Sequence, residues 1–441
     1  MRTSPGSGTI KVVRPDAAES NGVAFEITNP TDLYVDDDNA TGIENGTVAS
    51  PFNTIGEGMV AATTGDTVHV ADGTYNAAGE VVAGDQNRDM DFGGKGIVVQ
   101  GNPATPSACI IDCGGSGRGF SITSGEDEEC LIQSLTITGG NTPGSGGGIY
   151  ISGSSPTIRN CVIDLNTAVH AGGIYCYGAD PDIIRCTISN NTSSGDAGGI
   201  SCQNSSYPRI TECNIFNNQA GNYGGGLCCG DSSPTLAHCV IKDNSASSGG
   251  GGVYCGGGTS SPTFINCLIA NNEATGSGSG GGIYCYNNSG SLLLTNCSLV
   301  NNACGWNGGG IYNYHASGTS YIMLENSIIW GNSAANNYHQ IGSFTGSQVD
   351  MYSCCYSNAA GDNGGVGVIT ADGNCTTADP LFAVPGSPGP AGGGDFHLTA
   401  GSPCIDTGEN NYVTWSKDLD GTARIKDGGG GSIVDMGVYE F

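Results

Sequence analysis

Residues 146–166 read GGGIYISGSSPTIRNCVIDLN, and residues 172–191 repeat the pattern as GGIYCYGADPDIIRCTISNN. The same signals return five more times before residue 332. The residue after each Gly pair is apolar and recurs every 25 to 30 residues, at Ile149, Ile174, Ile200, Leu227, Val253, Ile283 and Ile311. A fixed period with the same internal marks in every unit predicts a solenoid.

Two further columns run through the repeats. The first holds Cys161, Cys186, Cys213, Cys239, Cys267, Cys297 and Ser327. The second follows five residues later and holds Asn166, Asn191, Asn218, Asn244, Asn272, Asn302 and Asn332. Each unit has three short β-prone runs bounded by Gly, Pro or Asn, which predicts an all-β fold, a parallel β-helix. Because stacked turns lie about 4.8 Å apart, we expect the asparagine amides to form a ladder at one bend.

The 20 cysteines divide between the repeats and the rest of the chain. Eleven lie in two columns, the Cys161 column and a second one at Cys176, Cys202, Cys229, Cys255 and Cys285. Ile151 takes the second position one repeat earlier, which indicates that Cys acts there as a small buried apolar residue. Disulfides are expected, if anywhere, outside the columns: Cys109 with Cys113, or among Cys354, Cys355, Cys375 and Cys404.

Charge and composition argue against several classes of function. Lys and Arg total 13 against 41 Asp and Glu, a net charge of −28, which argues against binding to nucleic acid or to an anionic membrane. No run of 18 apolar residues exists, so no transmembrane segment is predicted. An acidic surface rich in Gly, Ser, Asn and Thr is typical of secreted proteins. We therefore expect an extracellular or bacterial cell-surface location.

Four regions follow from the order of these patterns. Residues 1–30 are a lead-in, and residues 31–95 are predicted to form an N-terminal cap. Residues 96–382 are predicted to form the parallel β-helix, with ten to twelve turns in all, and residues 383–441 a C-terminal capping or anchor-like region. The lead-in lacks the layout of a signal peptide, as in a mature form or a chain that starts at an added Met1. In the cap, Thr54 and Glu57 fit a capping box that starts a short helix at residues 56–62.

The repeat unit resembles the right-handed parallel β-helix repeat of bacterial surface and secreted proteins. It also resembles the GGAI and FxxN repeats of polymorphic outer-membrane proteins, with Ile in place of Phe at positions such as Ile163 and Ile241. Residues 34–36, 50–55 and 65–68 are similar to the N-terminal cap of pectate-lyase-like β-helices. Residues 418–440 resemble the choice-of-anchor region that follows such helices in exported bacterial proteins. The resemblance implies fold and export, because the superfamily includes lyases, hydrolases, esterases, adhesins and passenger domains.

No catalytic set stands out in the sequence. The basic residues of the repeats, Arg159, Arg185, Arg209 and Lys242, occupy different repeat offsets and form no row suited to proton abstraction. Residues 424–426, Arg-Ile-Lys, match one polygalacturonase-like motif, but the accompanying motifs are missing. Calcium is the one cofactor kept open, at the acidic loops 36–39 and 418–421, although neither loop completes an EF-hand. No other metal is expected.

Stacking of sugars on aromatic side chains has the best physical support. Tyr150, Tyr175, Tyr254, Tyr284 and Tyr312 each follow an inward residue of their strand and should point outward in a row. We predict a ligand-binding cluster near the end of the repeats, formed by Trp306, Tyr312, Tyr314, His315, Trp330 and Tyr338. Aromatic faces with polar edges suit pyranose rings. The alternative is that these rings pack beneath loops or beneath the terminal region.

The sequence leaves three functions open. The favoured one is a non-catalytic module that binds a polysaccharide or cell-surface glycan or self-associates. The second is a carbohydrate-active enzyme, either a polysaccharide lyase or a glycoside hydrolase. The third is a structural protein that assembles end to end into filaments. An active site, if there is one, is expected where the repeat is broken, near residues 306–339 or beside the two caps.

Overall fold

The computed structural model describes residues 31–39, 43–76, 87–316, 318–390, 392–425 and 433–441. The predicted lead-in, residues 1–30, lies outside the described residues. Short strands stack in parallel from one turn to the next and form four long sheets around a single apolar interior. The expected all-β parallel β-helix of ten to twelve turns is confirmed.

Two of the sheets run almost the whole length of the β-helix. The thirteen-stranded sheet contains Asp32–Val35, Thr67–Val70, Val98–Gln100, Leu131–Gln133, Thr157–Arg159, Asp182–Ile184, Arg209–Thr211, Thr235–Ala237, Thr263–Ile265, Ser291–Thr295, Ser320–Glu325, Ser347–Tyr352 and Val368–Ala371. The eleven-stranded sheet contains Gly73–Asn76, Cys109–Asp112, Thr136–Thr138, Val162–Asp164, Thr187–Ser189, Asn214–Phe216, Val240–Lys242, Leu268–Ala270, Ser298–Val300, Ile328–Trp330 and Cys355–Tyr356.

The other two sheets complete each turn. The eight-stranded sheet contains Asn141–Ser145, Thr167–His170, Thr192–Ser193, Gln219–Ala220, Ser245–Ala246, Glu273–Ala274, Ala303–Cys304 and Ser333–Ala334. The ten-stranded sheet contains Phe120–Ile122, Ile149–Ser152, Ile174–Tyr177, Ile200–Gln203, Leu227–Gly230, Val253–Gly256, Ile283–Tyr286, Ile311–Tyr314, Ile341–Ser343 and Asn363–Gly364. A separate antiparallel hairpin pairs Phe382–Val384 with Asp395–Leu398.

The interior is built from the predicted columns. Ile174 pairs in register with Ile149 and Ile200, and all three side chains are fully buried. The two Cys columns are buried beside them. Within the Cys161 column, the backbone N–H of Cys186 lies 3.4 Å from Cys213 Sγ. Burial of one such aliphatic side chain stabilises the fold by about 1.5–3 kcal/mol. Outside the columns, Cys354, Cys355, Cys375, Cys404 and Cys109 are free thiols, so the pairings considered for them are not formed.

The asparagine ladder is confirmed at the bend between the eleven- and eight-stranded sheets. Asn191 Oδ1 accepts hydrogen bonds from both Nδ2 and the backbone N–H of Asn166, each at 3.0 Å. The pattern repeats at every turn and ends where Asn332 Nδ2 donates to Gln340 Oε1. The Gly pairs stand where turns approach closely, since a Cβ on Gly173 would lie 2.5 Å from the carbonyl oxygen of Gly199.

The two ends of the β-helix differ. Helix α1 (Ile55–Ala61) covers the N-terminal end, and Thr54 and Glu57 form the predicted capping box. The described residues of the C-terminal region, 383–390, 392–425 and 433–441, instead pack along the outer face of the eleven-stranded sheet, where Phe396 and Val438 cover Leu268. This region includes a 3₁₀ turn at Asn410–Tyr412. Another 3₁₀ turn, Pro106–Ala108, directly precedes the strand Cys109–Asp112. Among the described residues, no strand pairs with the outer edge of the final strand of the thirteen-stranded sheet.

Candidate functional site

The predicted tyrosine row lies on the outer face of the ten-stranded sheet, in the predicted register. Tyr150 pairs with Tyr175, and Tyr254, Tyr284 and Tyr312 pair in register in the later turns. We call the aromatic surface of this sheet the tyrosine face; it contains Tyr150, Tyr175, Tyr177, Tyr223, Tyr254, Tyr284, Tyr286, Tyr312, Tyr314, Tyr338 and Phe344.

The rings of the tyrosine face mostly cover one another. Tyr286 and Tyr314 stack with ring centroids 5.5 Å apart and planes inclined by 8°. Tyr284 and Tyr312 are only 9% and 6% exposed. Ring faces that contact neighbouring rings are not available to a sugar, so this packing chiefly stabilises the β-helix.

The predicted ligand-binding cluster is divided in the structure. Phe344 contacts Tyr312, Tyr314 and Tyr338, which gathers these three on the tyrosine face. His315 is buried in the adjoining loop, where its Nε2 lies 3.2 Å from Ser289 Oγ. The two tryptophans lie apart. Their role in binding stays a prediction.

Trp306 and Trp330 occupy different surroundings. Trp306 is 50% exposed at the turn that follows Ala303–Cys304. Trp330 belongs to the eleven-stranded sheet, on a different face of the β-helix, and packs beneath the C-terminal region. The six residues therefore do not form one continuous surface.

A deeper concave site lies beside the C-terminal region. Two adjoining cavities of about 590 and 490 Å³ share Asn214, Val240 and Tyr439. The floor is the outer face of the eleven-stranded sheet, and the walls are residues 393–397 and 415–421. We call this site the C-terminal groove; its polar and aromatic lining includes Arg185, Glu212, Asn214, His238, Lys242, Asp243, Asp395, His397, Trp415, Lys417, Asp418, Asp420 and Tyr439.

Three successive turns contribute groove residues from a left-handed backbone position. Arg185, Glu212 and His238 have φ values of 53°, 54° and 54° at the bend before the Cys column. Four other turns place an asparagine at this position, at Asn160, Asn266, Asn296 and Asn326. Asn tolerates the left-handed region, whereas other non-Gly residues lose roughly 1–2 kcal/mol there. At the same bend of the outermost turns, Ser134 and Ser353 take this position. Arg185, Glu212 and His238 are therefore the large side chains found there, and they cluster in one groove, which is the pattern of strain retained at functional sites.

One wall of the groove is aromatic. Trp415 packs against His238 with ring centroids 4.9 Å apart, and Trp415 is 39% exposed. Burial and the positive charge of Arg424 lower the pKa of His238, so its ring is neutral near neutral pH. Asn266 Nδ2 lies 3.2 Å from His238 Nε2 and orients the ring. The result is a half-exposed aromatic surface beside a neutral hydrogen-bonding group.

At the other end of the groove, His397 lies between two carboxylates. Its Nδ1 is 2.5 Å from Asp395 Oδ1, and its Nε2 is 2.6 Å from Asp420 Oδ2. The imidazole stacks on the Tyr439 ring at 3.9 Å. We call the Asp395–His397–Asp420 set the His397 bridge.

Other charges of the groove are also paired. Arg185 Nε is 2.7 Å from Glu212 Oε2, and Lys242 Nζ is 3.7 Å from Asp243 Oδ2. These two pairs carry no net charge, and the groove as a whole has five carboxylates against three Lys or Arg side chains and His397. An uncharged ligand with many hydroxyl groups suits such a site, because paired ions still donate and accept hydrogen bonds.

A carboxyl that could act as a general acid lies behind the groove wall. Burial raises the pKa of Glu440 to about 8. Its side chain is 3% exposed and bonded to Arg424 behind the wall, so it does not meet a ligand in the groove.

In the acidic loop 418–421, one of the two candidate calcium loops, protein groups occupy the Asp418 carboxylate. The Asp418 carboxylate accepts hydrogen bonds from the backbone N–H groups of Thr422 and Glu440, at 2.6 and 2.9 Å. Within the described ranges, no three metal-ligating side chains converge on a point. Calcium binding stays a prediction that these contacts do not favour.

Comparison with known proteins supports the fold. The family model described as "Right handed beta helix region" matches residues 95–267. The crystal structure of pectate lyase Pel9A is 15% identical, with a TM-score of 0.51 over 94% of this chain and 97% of that chain. The fold is therefore a right-handed parallel β-helix like that of a pectate lyase. At this identity the likeness concerns fold alone.

Two other solved structures match less closely. The mannuronan C-5 epimerase AlgE4 A-module of Azotobacter vinelandii is 14% identical, with a TM-score of 0.38 over 78% of this chain and 100% of that one. A rhamnogalacturonan lyase is 12% identical, with a TM-score of 0.36 over 80% of this chain and 90% of that one. A search of curated proteins finds no significant match. Among the described residues, no helix is long and apolar enough to cross a bilayer.

Proposed function

We propose that this protein is an extracellular or cell-surface module that binds a neutral polysaccharide in the C-terminal groove without transforming it. The observation that carries the proposal is the row of Arg185, Glu212 and His238. These residues occupy left-handed bends at which the neighbouring turns use Asn, and all three line the same groove. Packing of the β-helix does not require them there, so ligand contact is the best reason for their presence.

The chemistry of the groove supports a carbohydrate. Trp415 offers a half-exposed ring, and aromatic rings pack well against the apolar faces of sugars. Asn214 and neutral His238 supply hydrogen-bonding groups beside it. Because the ion pairs along the groove offset one another, the ligand needs no net charge.

The experiment compares two exposed tryptophans on different surfaces. Trp415→Ala and Trp306→Ala are tested by affinity electrophoresis against glucans, mannans, xylans and galactans, with pectin and alginate as acidic comparators. We expect Trp415→Ala to weaken binding to a neutral polysaccharide by about tenfold, the equivalent of about 1.4 kcal/mol. Trp306→Ala should bind as the unaltered protein does.

Other results have equally clear meanings. If only Trp306→Ala lost binding, the binding site would instead lie at Trp306, in the aromatic cluster predicted from the sequence. Absence of binding to every polymer would remove the carbohydrate function. Release of unsaturated or reducing ends from any polymer would favour the enzymatic alternative over a purely binding module.

A second function is favoured by the open end of the β-helix. No strand in the described part of the chain pairs with the outer edge of Val368–Ala371, and Val366 and Val368 are 72% and 51% exposed. Such an edge can pair with the same edge of a second copy. Light scattering over a wide concentration range should then show a dimer, and Val368→Lys should abolish it. Larger assemblies would instead indicate filaments.

A further inference from the structure

We propose that protonated His397 holds the loop of residues 415–421 against the strand Asp395–Leu398, and that loss of its proton releases this wall of the C-terminal groove. Asp420 lines the groove at the tip of this wall, so its release would weaken ligand binding above neutral pH. That consequence rests on the proposed function, whereas the bridge itself is a property of the protein without ligand.

The argument begins with donors and acceptors. The two ring nitrogens of His397 lie 2.5 and 2.6 Å from oxygens of Asp395 and Asp420. An ionised carboxylate can only accept a hydrogen bond, and a neutral imidazole can donate only one. Both contacts are satisfied together only when the imidazole carries two protons and a positive charge. Deprotonation would leave one nitrogen lone pair facing a carboxylate oxygen.

Other contacts hold the flanks of the loop. The carbonyl of Lys417 accepts a hydrogen bond from Asn266 Nδ2 at 2.8 Å, and Leu419 N–H donates to the carbonyl of Val438 at 3.2 Å. Asp420 lies at the tip, beyond these anchors. Its bond to His397 is the contact that joins the tip to the facing strand.

The charges around the ring come from four elements. Asp395 lies on the same strand as His397, and Asp418, Asp420 and Lys417 lie on the loop. Tyr439 stacks on the ring from the C-terminal segment. Across the groove, the eleven-stranded sheet and the bend after it supply the ion pair of Lys242 with Asp243.

These surroundings set the direction of the pH effect. Burial opposes a charge on His397, but the hydrogen bonds and negative charges of Asp420 and Asp395 raise its pKa above the ordinary value of 6.5. Burial and the charge of Asp420 raise the pKa of Tyr439 to about 12, so that phenol stays neutral throughout. The stabilising effect of the bridge is complete below pH 6.5 and is lost as pH rises through the raised pKa.

The experiment uses the full chain without ligand. Nitrogen-15 NMR of labelled histidines should show both nitrogens of His397 protonated at about pH 6, with a transition above the ordinary histidine pKa. Hydrogen–deuterium exchange at residues 417–421, corrected for the intrinsic effect of pH, should then accelerate by up to about tenfold per pH unit between pH 6.5 and the raised pKa of His397, and should level off above that pKa. His397→Gln should exchange rapidly at every pH.

A matched control is available in the N-terminal cap. His69 also pairs with a carboxylate, Asp32, at 3.0 Å but lies far from the groove in sequence and in the sheet order. His69→Gln should leave the exchange of residues 417–421 unchanged. If His397 in the unaltered protein titrates at or below its ordinary pKa, or if loop exchange ignores pH, the proposal is overturned.

Failure of the proposed function is distinguishable from failure of the bridge. Should the loop open with pH while no neutral polysaccharide binds at any pH, the bridge stands and the carbohydrate function falls. Should a polysaccharide bind equally well on both sides of the transition while the loop opens, control of the groove by His397 is overturned. A fall in affinity that follows the His397 titration supports both.

Discussion

The guanidinium of Arg424 and the carboxylate of Glu440 form an ion pair at 2.8 Å, with side-chain exposures of 0% and 3%. Arg424 also donates to the carbonyl of Gly437 at 2.6 Å and to Asn266 Oδ1 at 3.1 Å. The pair therefore joins the C-terminal region to a bend of the β-helix. Burial opposes both charges, raising the pKa of Glu440 and lowering that of Arg424.

Arg424→Met should detach the C-terminal region. Removing one partner leaves the Glu440 carboxyl buried without its ion pair, which costs about 3–5 kcal/mol of unfolding free energy. Denaturant unfolding measures this loss, and proteolysis within residues 383–441 should become faster. The double variant Arg424→Met with Glu440→Leu should recover much of the stability, because no buried charge remains.

An exposed ion pair provides the control for that experiment. Arg209 and Asp182 are in contact on the thirteen-stranded sheet, and the Arg209 side chain is 70% exposed. Arg209→Met should change stability by less than about 1 kcal/mol. Equal losses in Arg209→Met and Arg424→Met would contradict the assignment of the Arg424 effect to burial.

Asn244→Ala should weaken the centre of the asparagine ladder. Asn244 Oδ1 accepts two hydrogen bonds from Asn218, and Asn244 Nδ2 donates to Ile215 O and Asn272 Oδ1. Buried groups that lose a partner cost about 1–3 kcal/mol each, so we expect a loss of about 3 kcal/mol. Exposed Asn222→Ala should have little effect on the denaturation midpoint, and similar midpoints for both variants would refute the ladder's contribution.

Sequence was sufficient for features that repeat. Each turn stacks on the next, so residues at the same repeat offset lie side by side. The contact between Asn166 and Asn191 could therefore be predicted from the repeat alone. The capping box of Thr54 and Glu57 is similarly local, spanning three residues. Periodicity and short-range contacts both leave marks in a single sequence.

The C-terminal groove was harder to predict from the sequence. It depends on residues 393–397 and 415–421 folding back along the sheet, and no period relates Trp415 to His238. One signal was nevertheless available: the position before the Cys column is most often Asn, but Arg185, Glu212 and His238 interrupt it. The aromatic cluster was predicted from proximity in sequence, and Trp330 shows the limit of that inference, since successive strands of one turn face different directions.

Acid should loosen the N-terminal cap through Asp66. This carboxylate is buried, which by itself would raise its pKa, but hydrogen bonds from Thr31 N–H and from the backbone and hydroxyl of Thr63 lower it below 3.8. A carboxyl with a lowered folded-state pKa stabilises the fold above its ordinary pKa, and this is lost as pH falls through the folded value. Hydrogen exchange at Thr67–Val70 should therefore rise at low pH.

Asp66→Asn separates this effect from general acid unfolding. The amide cannot ionise, so the variant should show weaker protection of Thr67–Val70 near neutral pH and less further loss on acidification. An acid response identical to that of the unaltered protein would assign the effect to other carboxyls.

The last prediction separates stability from function in the C-terminal groove. The double variant Arg185→Asn with Glu212→Asn places Asn at two left-handed bends and removes an exposed ion pair that is worth little. We expect the free energy of unfolding to rise by about 1 kcal/mol, because Asn tolerates this backbone conformation better. Polysaccharide affinity should fall at the same time, since the two side chains line the groove. Asn266 already occupies the equivalent bend of a later turn, which shows that this backbone conformation accepts Asn. A variant that is more stable and binds with unchanged affinity would show that the two charged side chains do not contact the ligand.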